Sequence, residues 1–406
     1  MEKNQWASLE LCLLDGVKAG RAANWAKQFG GAANVLEQSQ WPEGINERQR
    51  GQLEQLRQSW RKQGPSEKAR QVWARCEQMD IAFIGIEHAL YPEMLRQIAD
   101  PPVGLFCKGN MAVLRRPCVS IVGTRQAGGY GSKVAYETAV QTAKAGATIV
   151  SGLAVGIDAC AHKGALDAKG ATVAVMPCGL DLCYPKSNRW LYHRIVETGL
   201  AVSEYPPGRQ PEKWFFLDRN RLISGLSLIT LVAQAGPKSG AIRTAQLAAE
   251  QGREVFGAPG DLFDTEYLGV HNLLQDGANV LTSPQSLLRM LRQEGHLPAE
   301  VLPKRKLPSE SVAKLGHSVT YGARPRAEAL VESGEVERLL AERKKHALEK
   351  AGTERWLYEK IEAFGSLPER LCQLTGKSAA QVQQAITILE IKGLIRQDEQ
   401  RRIIQV

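Results

Sequence analysis

Apolar positions through residues 1–78 recur three and four apart, with no alternating run among them. That period lays one face of a helix against a core. It predicts helices over Trp6–Leu14, Gly20–Phe29 and Ala33–Gln38, and a long charged helix over Glu47–Gln78. From Ile81 the pattern changes to short, continuously apolar runs: Ala82–Gly85, Cys118–Val122, Thr148–Val150, Thr172–Met176, Ala201–Ser203, Leu228–Val232, Glu254–Phe256 and Val280–Leu281. Helix-like segments lie between them, over Gly131–Ala145, Gly156–Lys169, Asn188–Thr198 and Ala241–Gln251. Strands apolar on both faces and separated by helices indicate a parallel sheet covered on two sides. Right-handed crossovers then build an open, doubly wound, Rossmann-like α/β sheet.

Periodicity fades after about residue 292. The stretch 293–352 reads as a charged linker, marked by Pro303-Lys304-Arg305-Lys306. Order resumes at Thr353 with helices over Trp356–Phe364, Glu369–Leu374 and Ser378–Lys392, followed by short strands around Leu394–Arg396 and Arg402–Val406. Three helices and a terminal ribbon are the outline of a winged helix. The expected division is therefore a helical domain over 1–78, the Rossmann-like domain over 79–292, the linker over 293–352 and a winged-helix-like domain over 353–406.

Composition narrows the class. The chain has 406 residues, 43% hydrophobic and 23% charged, which excludes a disordered chain, a collagen-like repeat and a coiled-coil rod. A formal charge of +9 admits a polyanionic partner without requiring one. The longest uncharged stretches, such as Leu222–Pro237, fall short of the ~20 apolar residues of a membrane span. Glu2 stands where a secretory leader would be basic, so no signal peptide is expected. Eight cysteines are scattered with no C-x-x-C pair, and Cys178 and Cys183 with His193 have poor zinc spacing. Free thiols, no metal, no cofactor and a cytoplasmic location follow as expectations.

Candidate chemistry gathers in the turns that follow strands. Gly123-Thr124-Arg125 opens a Gly-rich turn before a helix, where glycines let the backbone approach phosphate and the helix start offers N–H groups. The turn fits neither G-x-G-x-x-G nor the P-loop pattern, which argues against a dinucleotide or a triphosphate. A second turn, Ser151-Gly152-Leu153-Ala154-Val155-Gly156-Ile157-Asp158, sets Asp158 to cap the next helix. Nearby His162 has no nucleophile or second carboxylate arranged with it, so structural hydrogen bonding is its expected role. Further loops supply Lys186 and Asn188, then Arg219-Asn220-Arg221, then Lys238, Ser239 and Gly240. Arg125, Lys186, Arg219, Arg221 and Lys238 around one sheet edge suit a chain of phosphates better than one small ligand.

Val122-Gly123-Thr124-Arg125, Ser151-Gly152-Leu153-Ala154-x-Gly156-Ile157-Asp158-x-x-Ala161-His162, Tyr184-Pro185, Ser203-Glu204-Tyr205, Arg219 through Ser227 and Gly252-Arg253-Glu254-Val255 occur in order. Together they closely resemble the DNA-processing protein A family (DprA/Smf) over residues 79–290. The N-terminal helices look like that family's sterile-alpha-motif-like domain, and the C-terminal 55 residues like its winged-helix appendage. The resemblance implies a non-enzymatic homodimer that binds single-stranded DNA in natural transformation, protects incoming strands and helps load the RecA recombinase. Arg125 and Lys186 fall where family members contact DNA phosphates. Gly123, Thr124, Asn188, Arg219, Arg221, Lys238, Ser239 and Gly240 complete the expected DNA site. The segment Gly269–Leu281 falls on the surface resembling the dimer and recombinase contact, with His271, Leu274 and Val280 chosen there. The rival is an enzyme similar to nucleoside-monophosphate phosphoribohydrolases. Those carry P-G-G-x-G-T-x-x-E, whereas Gly236-Pro237-Lys238-Ser239-Gly240-Ala241-Ile242-Arg243-Thr244 offers no general base at Arg243. A ligand-sensing winged-helix repressor fits less well, because the last helix, Ala379–Lys392, is largely core-facing.

Overall fold

Nine strands build the core of the larger unit: β1 (Ala82–Gly85), β2 (Gly104–Gly109), β3 (Cys118–Gly123), β4 (Thr148–Ser151), β5 (Ala171–Val175), β6 (Leu200–Ser203), β7 (Ile229–Gln234), β8 (Glu254–Gly257) and β9 (Asn279–Val280). The computed structural model describes residues 2–17 and 19–298. Of the C-terminal part it describes 355–358, 371–372, 375, 377–391, 395–397 and 403–405. These residues fall into two units, one within Met1–Pro303 and one within Lys304–Val406.

The strands form a single sheet in the order β1-β2-β6-β5-β4-β3-β7-β8-β9. Strands β3 to β9 pair in parallel, whereas β2 runs antiparallel to both β1 and β6. The chain lays down β3, β4, β5 and β6 in one direction, then crosses back to place β7, β8 and β9 on the other side of β3. The crossover leaves a topological switch point between β3 and β7, and the crevice beyond their carboxyl ends is where such sheets take ligands.

The sequence pattern passes over β2. That strand has only three apolar residues between its terminal glycines, and it pairs antiparallel with both of its neighbours, outside the parallel pattern that β3 to β9 follow. Gly104 is needed there, because a Cβ would run into the Phe83 ring of β1. The predicted single helix over Glu47–Gln78 is two, Glu47–Gln63 and Glu67–Gln78. Gly64 turns the chain at φ +72°, Pro65 cannot continue a helical ladder, and the Ser66 hydroxyl caps the second helix by accepting from the Ala69 N–H at 3.2 Å. Arg219-Asn220-Arg221 is not a loop. It lies inside a helix, Lys213–Gly225, whose Phe215, Leu222 and Ile223 face the core.

One face of the sheet shares its core with the N-terminal helices: Leu11, Trp25, Leu36 and Leu53 pack in one cluster with Ile84, Leu105, Leu222 and Val232. Buried Arg57 ties these helices together, donating to the Val35 and Gln40 carbonyls at 2.8 and 2.7 Å. On the other face Val119, Ile121, Ile149 and Leu231 pack on Ala135, Ala139, Ala161 and Ala165 of helices Gly129–Lys144 and Ile157–Asp167. Fully burying each such Val, Ile or Leu contributes about 1.5–3 kcal/mol.

In the second unit Leu357, Leu371, Val382, Ala385, Ile386, Leu389 and Ile395 form a core. Strands β10 (Ile395–Gln397) and β11 (Ile403–Gln405) pair antiparallel. The predicted linker beyond residue 298 and much of the expected winged helix lie outside the described residues. The eight cysteines are free, and no described helix is long and apolar enough to cross a membrane.

Candidate nucleic-acid interface

A cleft of about 670 Å³ occupies the switch point, lined by the turn after β3, the loop after β7, and Phe216, Leu217, Arg219 and Asn220 of the Lys213–Gly225 helix. The β3 turn is bound tightly to its surroundings. The Thr124 N–H donates to the Gln234 carbonyl at 2.7 Å, and the Ile157 N–H to the Thr124 carbonyl at 3.2 Å. A Cβ on Gly123 would collide with Ile157, and one on Gly156, at φ +81°, with the Thr124 carbonyl. Glycine alone fits such positions. The buried Gln234 side chain accepts from the Gly128 N–H at 2.9 Å and fills the space beside Gly131. It thereby holds the start of the Gly129–Lys144 helix, whose N-cap has no side-chain partner.

Gly123, Thr124, Arg125, Lys238, Ser239 and Gly240 are brought together in this cleft. Arg125 and Lys238 are exposed, and neither makes an ion pair among the described residues. The Arg125 guanidinium lies over the Phe216 ring at 5.6 Å, and Phe216 packs edge-on against Tyr184 at 5.1 Å. Ser239 caps the next helix, accepting from the Ala241 N–H at 3.2 Å, which leaves its hydroxyl proton free to donate. Lys186 does not line the cleft. It is exposed on a short 3-10 turn, Lys186–Asn188, at the flank that Tyr184 joins to Phe216.

Three predicted contacts have other work. Asn188 is buried and donates to the Leu153 and Ala154 carbonyls at 3.0 and 3.2 Å, fastening one loop to the next. Arg219 is 6% exposed. Its Nη1 donates to the Gly152 carbonyl at 2.8 Å and to the Val175 carbonyl, pinning the carboxyl ends of β4 and β5. Gly152 is the reason the guanidinium fits, since a Cβ there would occupy its place. Burial pushes Arg219 down to about 10, with Asp158 opposing the fall and Arg125 adding to it; the group stays charged at neutral pH. Arg221 belongs to a different cleft, where it pairs with buried Glu204 and, at 3.2 Å, with Asp100.

The acidic and imidazole groups are also committed. Asp158 does not cap its own helix, whose N-cap is Gly156. Its carboxylate turns back to accept from the Gly152 and Ala154 N–H groups at 3.1 and 3.4 Å. Burial raises its pKa, against the pull of Arg219 and those N–H groups. His162 is fully buried with Nδ1 2.7 Å from the Thr172 hydroxyl, which itself donates to the Ile149 carbonyl. The hydroxyl proton is thus spoken for, so Nδ1 carries the proton in their contact. Burial, helped by Arg219, pushes His162 down to about 3, so it is neutral.

Sequence reasoning missed the Phe216–Tyr184 pair, the Gln234 brace and Glu266, whose carboxylate lines the cleft and accepts from the Thr124 hydroxyl at 3.4 Å. The aromatic run Trp214-Phe215-Phe216 was the available signal for the first; Glu266 sits on a three-residue 3-10 turn, Thr265–Tyr267, too short to leave a periodic signal. On the suspected dimer surface, Val280 is exposed on the edge strand β9. His271 stacks on Tyr267, and half-buried Leu274 packs on its own sheet beside Gly257.

Fold and cleft together define a doubly wound α/β protein with a cation-edged crevice at its switch point, the class in which phosphate-bearing ligands lodge. A family model, DNA recombination-mediator protein A, matches residues 82–292. The chain belongs to that family of DNA-processing proteins, the DprA/Smf proteins. It is 45% identical over 198 residues to the DNA processing protein DprA of Streptococcus pneumoniae, covering 49% of this chain and 70% of that protein. The X-ray structure of S. pneumoniae DprA superposes with a TM-score of 0.60 at 33% identity, covering 71% of this chain and 98% of that one. DNA processing protein A from Helicobacter pylori, whose structure concerns a single-stranded DNA binding mode, aligns with a TM-score of 0.49 at 34% identity, covering 53% of this chain and 96% of that one.

Proposed function

We propose that this protein holds single-stranded DNA by its phosphates in the β3–β7 cleft, acts as a homodimer, and passes the strand to the RecA recombinase in the cytoplasm. One observation carries the DNA reading. Arg125 and Lys238 stand on opposed loops of the cleft, exposed and, among the described residues, free of ion pairs, next to helix starts that Gln234 and Ser239 hold in place. An unpaired cation is strongly hydrated and gains most from an anionic partner that neutralises it, and polyanions add the release of condensed counterions. Phe216 and Tyr184 beside Arg125 give unstacked bases an apolar, π-bearing surface. Duplex DNA keeps its bases stacked inside and cannot use that surface. Lys186 extends the basic rim at the flank, while Arg219 and Asn188 hold the loops rather than the ligand.

We read the cleft as non-catalytic. Its carboxylates are Asp158, engaged by two backbone N–H groups, and Glu266, and among the described residues no histidine or cysteine lines it. His162 lies in the core, neutral and out of reach of a substrate.

The test is fluorescence anisotropy of oligo-dT and of a matched duplex across a salt series. Single strands bind more tightly, and log K falls with log salt at about 0.7 per phosphate held. Equal affinity for the duplex, or binding indifferent to salt, overturns the proposal.

A further inference from the structure

Beyond the cleft, the first turn of the Arg189–Thr198 helix carries features that none of its packing uses. Trp190 is 48% exposed, a costly position for an indole that serves only the core. The Lys163 ammonium, from the Ile157–Asp167 helix, lies 5.1 Å from its ring centroid. Arg189, His193 and Arg194 share the exposed face of the Trp190 helix, while Leu191, Tyr192 and Ile195 point inward. Lys163, Lys186, Arg189 and Arg194 make no ion pair among the described residues. The nearby acidic side chains are Asp167, which accepts from the Tyr136 hydroxyl at 3.1 Å, and Glu197 at the far end of the Trp190 helix.

This face continues from the cleft. Arg125 leads to Phe216, Phe216 to Tyr184, and Tyr184 runs through Pro185 to Lys186 and the start of the Trp190 helix. Asn188 locks that path to Ala154, which itself lines the cleft. Rigid anchoring keeps the two surfaces in fixed register, so one flexible polyanion can engage both.

We propose that the strand leaving the cleft runs along this face as a second subsite, with one base stacked on Trp190 beside the Lys163 ammonium and its phosphates against Lys186, Arg189 and Arg194. The inference rests on the reading of the cleft as a single-strand site. Stacking on an aromatic ring serves any base, so the subsite adds affinity without sequence preference. Its contribution depends on length: a strand filling only the cleft never reaches it.

The experiment compares Trp190→Ala, Trp190→Tyr, Arg189→Glu/Arg194→Glu and Arg125→Glu on oligo-dT of about five and about twenty nucleotides. Trp190→Ala and the double charge reversal weaken binding of the long strand roughly tenfold and leave the short one unchanged; Trp190→Tyr restores most of the loss. Arg125→Glu weakens both lengths. Trp190→Ala binding like the parent at both lengths, or losing affinity equally at both, overturns the subsite while the cleft stands. Arg125→Glu without effect at either length overturns the cleft reading instead. Circular dichroism melts of the variants separate a folding defect from a binding one, since a half-exposed indole contributes little to the core.

Discussion

Arg125 and Arg219 both line the same cleft, yet their substitutions should fail in opposite ways. Arg219 supplies Nη1–H to two backbone carbonyls, Gly152 and Val175, from a position 6% exposed. Arg219→Met leaves both acceptors without that donor, at about 1–3 kcal/mol each, and strips Asp158 of a compensating charge. The sum is about 3–5 kcal/mol, the range found when one partner of a buried charged network is removed. An unfolding entropy of roughly 0.6 kcal/mol/K for about 300 cooperating residues converts this to a melting point lower by about 5–8 °C. Arg125→Glu loses only a cation–π contact worth about 0.5–1 kcal/mol at an exposed site, so its melting point moves by no more than about 2 °C. Its DNA affinity falls at least about tenfold, near 1.4 kcal/mol, and its salt slope flattens by about 0.7 for one lost phosphate. Differential scanning calorimetry and anisotropy on the same preparations read both quantities. If Arg219→Met melts like the parent but loses DNA well below its transition, the buried arginine faces ligand and the structural assignment is wrong.

Two further outcomes follow from groups elsewhere. His162 is held near 3 in the folded state against an ordinary value near 6.5, so acid protonates it only after unfolding. Its stabilising effect is fully present above about pH 6.5 and is lost, by at most about 1.4 kcal/mol per pH unit, as pH falls toward about 3. His162→Phe should flatten that slope in urea titrations at pH 6 and pH 4, and a slope equal to the parent's refutes the assignment. On the exposed edge strand, Val280→Arg should shift sedimentation toward monomer at micromolar concentration without lowering the melting point. It is a cleaner probe than Leu274, whose side chain also packs on its own sheet, and an unchanged sedimentation coefficient counts against that surface.

The parallel strands were legible because each is a short apolar run followed by turn chemistry. The glycine-rich turn at Gly123 was legible as a close approach of backbone, whereas the tight packing of Gly152 on Arg219 and of Gly156 on Thr124 was not. Strand β2 escaped because its environment, not its pattern, makes it a strand: Phe83 packs where Gly104 has no side chain. The misplacement of Arg219 and Arg221 has a different cause. An arginine in a basic, glycine-rich neighbourhood reads as solvent-facing, and nothing local announces that Gly152 and Glu204, far away in sequence, will receive their guanidinium groups. Long-range pairing of polar groups leaves no periodic trace. Cations that act on a ligand and cations that act on the fold therefore share one signature until burial separates them.

The two edges of the sheet differ in a way that limits how copies of the chain can associate. At β1 the residues Phe83, Ile84 and Gly85 are buried, and the Gly85 N–H is taken by the Gln5 side chain at 2.8 Å. At β9 the edge is two residues long, with Val280 in solvent. A sheet open at both ends can be extended indefinitely by stacking strand on strand, the route to filaments. Here extension is possible from one end only, so any edge-to-edge association terminates once two copies have met. The N-terminal helices thereby do more than enlarge the core: they cover one edge of the sheet and leave only β9 open to pairing between copies, the condition under which a two-fold contact would close on itself.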